Sequence, residues 1–332
     1  MEGEVQMNNS GAFNWCFIGA GTLAKTVAKE ILASGRHKIA AVHTRNFQKG
    51  QAFAETFGGT AYETAEAAIC APEVDGVYVV TPHNSHYEYA KLALSLGKPV
   101  LCEKPITVTA PEAEELFALA QERGVYLAEA MWTWFSPVAR KVKEWVDTGA
   151  LGTVSHVEIY HRCDARGYAP RCSDPNTAGG AVLDIGVYPL TYLYRLFGKP
   201  EKIRCVGELG GGIDLWEDVT LSFPGGLTCT ASVSMCDPSY RVELYMEGDR
   251  GQVRCGSFNA AREAELIRGD GTREVFQAEG GYLNEFDTVT GEIRRGLVQS
   301  PLVPPGATVE VMKIMDECRR QLGLVYPFEE KV

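Results

Sequence analysis

The sequence lacks the features that mark three broad classes of protein. Basic residues are in the minority, with 32 Lys and Arg against 43 Asp and Glu and a net charge of -11, which excludes a protein whose overall charge attracts nucleic acid. No apolar run approaches the roughly 18 residues that cross a bilayer. The first eleven residues lack the basic and apolar regions of a secretory signal peptide. We therefore expect a cytoplasmic protein without nucleic-acid or membrane partners, and a disordered tail over residues 1–11.

Closely paired cysteines are also missing. The chain has ten cysteines, but no two of them are spaced as Cys-x-x-Cys. Several, such as Cys16 and Cys102, lie in apolar, strand-like runs. This pattern is typical of buried, reduced thiols and not of a zinc site, so we expect no bound metal.

The first part of the chain alternates between two periodicities. A length of 332 residues and a hydrophobic share of 45% suit two domains. Strands alternating with helices predict a parallel sheet with right-handed crossovers, which is the doubly wound Rossmann architecture. The predicted strands are 14–19, 38–43, 76–80, 99–102 and 126–130, and the predicted helices are 22–34, 47–57, 85–96 and 111–123.

The second part is rich in β-structure. Short polar or glycine-rich turns separate its apolar runs, which predicts an α/β domain with a large, mostly antiparallel open sheet. An uncovered sheet face would expose apolar area, so we expect a homodimer or a higher homo-oligomer formed through this sheet. We assign residues 12–133 to the Rossmann domain and 134–332 to the second domain. The predicted strands are 154–161, 203–208, 218–223, 227–235 and 241–247, and the helices are 136–148, 180–196, 282–296 and 308–323.

A glycine-rich loop joins the first predicted strand to the first predicted helix. Gly19, Gly21 and Ala24 fit the pattern Gly-x-Gly-x-x-[Gly/Ala], with Thr22 and Leu23 inside it. In that context the first glycine permits a tight turn, the second lets a pyrophosphate approach the backbone, and the alanine keeps the helix close to the sheet. The loop predicts a dinucleotide site, the alternative being a simple strand-to-helix turn.

The end of the second predicted strand bears on the choice of dinucleotide. NAD-selective sites usually carry Asp or Glu there, but no acidic residue occurs between Ile39 and Phe53. Arg45 and Lys49 lie there instead, about one helical turn apart. Because both can meet a 2′-phosphate, we predict NADP as the cofactor, with NAD as the alternative. On the other interpretation, the two residues are solvated surface charges.

Two further segments carry residue types suited to proton transfer. Lys104 follows a predicted strand, and open α/β sheets bind ligands outside the carboxyl ends of their strands. Asp184 and Tyr188 lie four residues apart in an otherwise apolar predicted helix, which places them on one face. A phenol beside an ammonium is a workable proton donor, because the ammonium favours the phenolate. The alternatives are a surface lysine, a structural tyrosine hydrogen bond and a capping aspartate.

Together, these motifs resemble a known family. The glycine loop, the run Glu103-Lys104-Pro105 and the segment GGAVLDIGVY are similar to the glucose-fructose oxidoreductase, inositol dehydrogenase and rhizopine-catabolism (Gfo/Idh/MocA) family over residues 12–328. The run VLCEKP, the tyrosine after Asp-Ile-Gly and the ending GLVYPFE resemble its dimeric dihydrodiol dehydrogenase and NADP-dependent D-xylose dehydrogenase branch. The resemblance implies hydride transfer between a nicotinamide and a secondary alcohol or carbonyl.

The resemblance also implies roles for particular residues. It makes Lys104 and Tyr188 the catalytic pair and Asp184 a carboxylate that orients the substrate. The run TPHNSH corresponds to a family loop near the nicotinamide, and His86 within it reads equally well as a core histidine that caps a helix. The candidate cofactor contacts are Gly19, Gly21, Thr22, Leu23, Ala24, Arg45, Lys49, Thr81, Pro82, His83, His86, Glu103 and Lys104.

The candidate substrate contacts are Trp132, Trp134, Arg166 and Asp184. Related dihydrodiol dehydrogenases resemble the chain at Trp132 but carry arginine in place of Trp134. The aromatic side chains at the predicted domain junction either stack on a sugar ring or an aromatic diol, or form an interdomain core. Likewise, the loop of residues 163–177 either closes over the substrate or is a variable surface loop.

The sequence therefore predicts an NADP-dependent oxidoreductase that acts on a sugar, a polyol or a trans-dihydrodiol. Two other classes stay open. One is a regulator of the same fold that senses NAD(P) without turnover, and the other is an interaction protein that uses only its sheet surface.

Overall fold

The computed structural model describes residues 11–165, 167 and 170–329. Most of the predicted tail and the candidate substrate contact Arg166 lie outside the described residues. Within them, the chain forms a six-stranded and an eight-stranded β-sheet with helices packed against them. This arrangement confirms the predicted α/β class with a parallel first sheet and a second, mostly antiparallel sheet.

The first sheet is parallel throughout, in the order β3-β2-β1-β4-β5-β6. Its strands are β1 (Phe13–Ile18), β2 (His37–His43), β3 (Thr60–Tyr62), β4 (Gly76–Val79), β5 (Val100–Glu103) and β6 (Leu127–Ala130). Its helices are α1 (Thr22–Ala33), α2 (Phe47–Phe57), α3 (Ala65–Ile69), α4 (His86–Ser95) and α5 (Ala110–Arg123). The short elements β3 and α3 were not predicted. The strand order reverses between β1 and β4, and such a reversal opens a ligand crevice at the carboxyl ends of the strands.

The second sheet has the order β14-β13-β12-β11-β7-β10-β9-β8, and only the β7–β10 pair is parallel among the strands described. In β7, residues 157, 159 and 161 alternate as buried positions, so one face is covered. The strands are β7 (Val154–Asp164), β8 (Lys202–Gly210), β9 (Ile213–Ser222), β10 (Thr228–Ser234), β11 (Cys236–Gly248), β12 (Gly251–Gly256), β13 (Glu263–Arg268) and β14 (Arg273–Gln277). The sequence analysis did not predict the last three.

Five helices complete the described fold: α6 (Trp132–Phe135), α7 (Pro137–Asp147), α8 (Val187–Phe197), α9 (Tyr282–Arg294) and α10 (Pro305–Leu322). Helix α6 spans the predicted domain boundary. Helix α9 returns to the first sheet, where the Phe286 ring packs edge-on against Trp15 at 4.9 Å. The division at residues 133 and 134 therefore stays a prediction.

The predicted helix over residues 180–196 is irregular. Residues Val182–Gly186 form a π-helix, and α8 continues from it. Asp184 and Tyr188 nevertheless lie on the same side of this segment, since both are next to Lys104, although the turn between them is wider than in the predicted α-helix. Single π-turns are frequent at functional sites.

All ten cysteines are free thiols, and seven of them are buried. Every helix among the residues described is too short or too polar to span a membrane.

Candidate functional site

A cavity of about 880 Å³ lies at the carboxyl ends of the parallel strands. One part of its wall comes from the loops after β1, β2, β4 and β5. The other part comes from β7, the π-helix, α8 and the start of β11. The predicted cofactor contacts line it, apart from Ala24, which is fully buried inside α1 as its packing role requires.

The glycine loop leaves room for a phosphate group. Gly19 has a φ of +120°, and a Cβ there would lie 2.4 Å from the carbonyl oxygen of Val80. Gly21 precedes α1, and a Cβ there would meet nothing within 4 Å. No side chain caps the first backbone N–H groups of α1, which are the groups that bind anions at helix N-termini. The loop therefore fits a dinucleotide pyrophosphate.

We expect the two glycine-to-alanine substitutions to affect different properties, the first stability and the second cofactor binding. Gly19→Ala is expected to destabilise the protein by about 1–3 kcal/mol or more, because its φ is unfavourable and its methyl meets a backbone carbonyl. Gly21→Ala is expected to keep the melting temperature of the cofactor-free protein but to raise the Kd for NADP roughly tenfold, because the methyl occupies the path of the pyrophosphate. Thermal melting without cofactor and fluorescence titration with NADPH measure the two effects. An unchanged NADPH affinity in Gly21→Ala would remove the loop from the binding site.

Arg45 and Lys49 are exposed at the far end of the cavity, beside His43 and Thr44. Asn46 caps α2 by accepting a hydrogen bond from the backbone N–H of Lys49, at 3.0 Å. The two cationic side chains have no hydrogen-bond or ion-pair partner among the described residues. The side chains of Arg45 and Lys49 therefore lie where an NAD-selective site carries an acidic residue.

Lys104, Asp184 and Tyr188 converge on the cavity wall. The Lys104 ammonium donates to the backbone carbonyl of Asp184 at 2.6 Å and lies 3.5 Å from the carboxylate Oδ1 of the same residue. The ammonium also lies 4.7 Å from the centre of the Tyr188 ring. All three residues are at most 8% exposed. The structure thus brings together the three predicted catalytic residues from the end of β5, the π-helix and α8.

Asp184 is surrounded by donors. Arg171 donates to its Oδ1 at 3.1 Å, and the Cys172 thiol lies 3.3 Å from Oδ2. Burial alone would raise the pKa of Asp184, but the charges of Lys104 and Arg171 and the hydrogen bond from His83 hold that pKa well below its ordinary value. The carboxylate is therefore ionised, and its oxygens are engaged by protein groups.

Tyr188 remains a protonated phenol. Burial raises its pKa above the ordinary value, and the carboxylates of Glu103 and Asp184 raise it further, although the hydrogen bond from Trp132 opposes them. Burial and the neighbouring carboxylates therefore oppose the bias toward the phenolate that the ammonium was expected to give. The Trp132 indole N–H donates to the Tyr188 hydroxyl oxygen at 3.1 Å and so orients the hydroxyl.

The two histidines after β4 have different surroundings. His83 Nε2 lies 3.5 Å from Asp184 Oδ1, which links the loop after β4 to the carboxylate of Asp184. His86 is fully buried, and its ring nitrogens lie 2.8 and 2.9 Å from the carbonyl oxygens of Pro105 and Thr81. These contacts favour the structural interpretation of His86, which ties the loop after β4 to the loop after β5.

The predicted aromatic cluster divides in two. Trp132 lines the cavity and packs on Tyr282, with ring centres 5.0 Å apart. Trp134 is 2% exposed and packs edge-on against Tyr192, with the Arg195 guanidinium on its ring. The substrate contact predicted for Trp134 is therefore wrong, because its side chain points into the protein interior and not into the cavity.

The sequence analysis missed several wall residues. His161, Asn259 and Tyr282 line the cavity although they come from β7, a loop after β12 and the start of α9. Burial, followed by the charge of Lys104, lowers the pKa of His161 to about 4, so its imidazole is neutral. The sequence around these residues carries no motif; only their convergence in the fold marks them.

Comparison with family models places the chain among oxidoreductases. A GFO/IDH/MocA model, described as an oxidoreductase family with an NAD-binding Rossmann fold, matches residues 13–131. The model of the GFO/IDH/MocA C-terminal domain matches residues 139–254.

Curated relatives align along almost the whole chain. A trans-1,2-dihydrobenzene-1,2-diol dehydrogenase of Mus musculus is 32% identical, over 96% of this chain and 100% of its own. An NADP⁺-dependent D-xylose 1-dehydrogenase of Hypocrea jecorina is 30% identical, over 96% of this chain and 94% of its own.

Solved structures share the fold. An aldose-aldose oxidoreductase from Caulobacter crescentus, in complex with glycerol, superposes with a TM-score of 0.84 at 22% identity and covers 94% of this chain and 98% of its own. A 3-ketoreductase from Actinomadura kijaniata, in complex with NADP and TDP-benzene, gives 0.82 at 24% identity with the same coverage.

Proposed function

We infer that this protein transfers hydride between NADP and a secondary alcohol or carbonyl of a sugar, polyol or trans-dihydrodiol. The premise is that the chain belongs to the Gfo/Idh/MocA oxidoreductase family. The chain is an NAD(P)-dependent oxidoreductase. The observation that carries the finer proposal is the convergence of Lys104, Asp184 and Tyr188 in the cavity that also contains the glycine loop. When bound, NADP supplies or accepts the hydride.

Tyr188 is the proposed proton-transfer residue. Its buried phenol is protonated, so it can donate to the carbonyl oxygen during reduction and take the hydroxyl proton back during oxidation. The negative charge that develops on its oxygen is stabilised by the nearby Lys104 ammonium and by the Trp132 N–H.

Asp184 acts mainly on Lys104 in this proposal. Its carbonyl accepts from the ammonium, and its carboxylate balances the charges of Lys104 and Arg171. Since protein donors engage both carboxylate oxygens, we assign Asp184 first to holding the lysine in place and second to contact with the substrate.

Arg45 and Lys49 are proposed to select NADP. Replacing both with alanine is expected to raise the Kd for NADPH by about 10- to 100-fold, because charge-assisted hydrogen bonds to the 2′-phosphate are lost. The Kd for NADH is expected to stay within about twofold, since NADH lacks that phosphate. Fluorescence titration of both cofactors measures the effect. Lys38→Ala is the matched control, because Lys38 is exposed near the start of β2, away from the carboxyl end that Arg45 follows. An equal loss of NADH and NADPH binding in the double variant would contradict the assignment.

The substrate class is proposed from two sources. The curated relatives are named for a trans-diol and for D-xylose, both of which carry neighbouring hydroxyl groups. The cavity wall combines the aromatic Trp132 and Tyr282 with the polar His161 and Asn259, which suits a ring that carries hydroxyls.

The test is a screen of aldoses, ketosugars and trans-diols with NADP and NADPH, in which nicotinamide fluorescence monitors turnover. Turnover of at least one compound supports the proposal. Tight NADPH binding without turnover of any compound would contradict it and favour the regulator of the same fold.

We also propose a homodimer through the second sheet and a cytoplasmic location. Val206 and Leu209 on β8 and Val275 on β14 are exposed apolar side chains of that sheet, which supports a contact there. The ten free thiols support a reducing compartment.

A further inference from the structure

The π-helix that carries Asp184 rests on two buried carboxyl groups of β9. Asp214 and Glu217 are both fully buried. Asp214 Oδ2 accepts a hydrogen bond of 2.6 Å from the backbone N–H of Val182, the first residue of the π-helix. This bond satisfies one of the backbone donors that a helix leaves unpaired at its start.

Two glycines of the GGAVLDIGVY segment make room for these carboxyls. Gly180 has a φ of +125°, and a Cβ there would lie 1.9 Å from Asp214 Oδ1. A Cβ on Gly186 would lie 3.4 Å from Glu217 Oε1. The segment therefore approaches β9 closely at both ends of the π-helix, and an acidic side chain meets it at each end.

The two carboxyls require a proton between them. Asp214 Oδ1 and both Glu217 oxygens are buried and have no hydrogen-bond partner among the described residues, and two neighbouring buried carboxylates repel each other strongly. A proton on Glu217 removes this repulsion, because it neutralises one of the two interacting groups and gives the Asp214 carboxylate a donor. Burial and the neighbouring Asp214 charge raise the pKa of Glu217 well above its ordinary value.

The surroundings favour this placement of the proton. Arg319 of α10 lowers the pKa of Asp214, which burial otherwise raises. The other titratable groups around the pair are Asp218 of β9, Cys205 of β8, Cys318 of α10 and Tyr326. The pKa of Cys318 is raised by its hydrogen bond to Cys205, and that of Tyr326 by burial, so neither adds charge near neutral pH.

We propose that Glu217 and Asp214 share one proton and act as a positioning pair, which fixes the π-helix so that both the carbonyl and the carboxylate of Asp184 face Lys104. The pair touches neither substrate nor cofactor. It acts through Val182 and the backbone of the π-helix, and its effect on turnover rests on the proposed function of Lys104.

The first test compares two variants at Glu217. Glu217→Gln keeps a donor toward Asp214 and is expected to retain kcat within about threefold. Glu217→Leu leaves the Asp214 carboxylate buried without its donor and is expected to lower kcat by about 10- to 100-fold through displacement of Asp184. The Kd for NADPH is expected to be the same in both, because the glycine loop and Arg45 are untouched. An unchanged kcat in a folded Glu217→Leu enzyme would overturn the proposal.

The second test does not depend on the folding of the leucine variant. Raising the pH removes the shared proton. As the pH is raised, kcat/KM of the wild type is therefore expected to begin to fall at a pH where kcat/KM of Glu217→Gln is still unchanged, because the amide does not titrate. Infrared difference spectra of wild type and Glu217→Gln at neutral pH are expected to show the band of a protonated carboxylic acid. Identical pH profiles or the absence of that band would overturn the proposal. Because the infrared readout needs no turnover, it separates failure of the pair from failure of the proposed enzymatic activity.

Discussion

Tyr188→Phe is expected to lower kcat by about 10²- to 10⁴-fold, the range that positioned general acid–base catalysis contributes. The substitution removes one oxygen atom and keeps the ring on which the Lys104 ammonium lies. The Kd for NADPH is expected to change little, because Tyr188 belongs to α8 and not to the glycine loop. Steady-state kinetics with a substrate found in the screen and fluorescence titration with NADPH measure the two quantities.

The same helix offers a matched control. Tyr192 is also a fully buried tyrosine of α8, but its hydroxyl donates to the Phe258 carbonyl at 3.1 Å and it does not line the cavity. Tyr192→Phe is expected to lower stability by about 1 kcal/mol and leave kcat near that of the wild type. Near-normal turnover in Tyr188→Phe, or equal losses in both variants, would contradict proton transfer by Tyr188.

Lys104→Met is expected to lower kcat by a similar factor of about 10²–10⁴. The variant removes the ammonium that lies near the Tyr188 ring and that binds the Asp184 carbonyl, while methionine keeps the length of the side chain. Without this charge, the negative charge that develops on the phenol oxygen is less well stabilised. The ionised Asp184 keeps Arg171 as a partner, so the variant is expected to fold.

Lys98→Met is the control for the lysine. Lys98 lies before β5 as Lys104 lies after it, and its ammonium donates to the Val74 carbonyl at 2.6 Å. Each variant removes one ammonium that flanks β5, but only Lys104 lines the cavity. Equal kcat values for Lys104→Met and wild type, with Lys98→Met as reference, would exclude the proposed role of Lys104.

Sequence patterns were sufficient for five of the six strands of the first sheet and for the glycine loop. Continuous apolar runs such as residues 76–80 are typical of strands buried on both faces, and β4 is buried at every position. Gly19 and Gly21 were interpretable because their conformational demands follow from the turn itself. Lys104 was interpretable because the carboxyl end of a parallel strand is where ligands bind.

The same patterns failed where packing changed the local geometry. The apolar spacing over residues 180–196 predicted one α-helix, but the fold contains a π-helix, held by the Asp214 contact from a strand about thirty residues away in sequence. Trp134 follows Trp132 by two residues, and a turn of α6 sends its side chain into the interior. The burial that raises the pKa of Tyr188 was also absent from the argument that an ammonium would favour the phenolate.

The amino-acid sequence by itself indicated most of the strands and helices, the glycine loop, the positive charge after β2 and the residue types available for proton transfer, because each of these depends on neighbours within one or two turns of chain. Tertiary structure alone decided which of those groups meet. It brought Lys104 to within 4.7 Å of the Tyr188 ring centre across more than eighty residues of sequence, added His161 and Asn259 to the wall, and placed Asp214 and Glu217 at the two ends of the π-helix. Such contacts depend on how whole elements pack to bury apolar surface, and local periodicity carries no record of that packing.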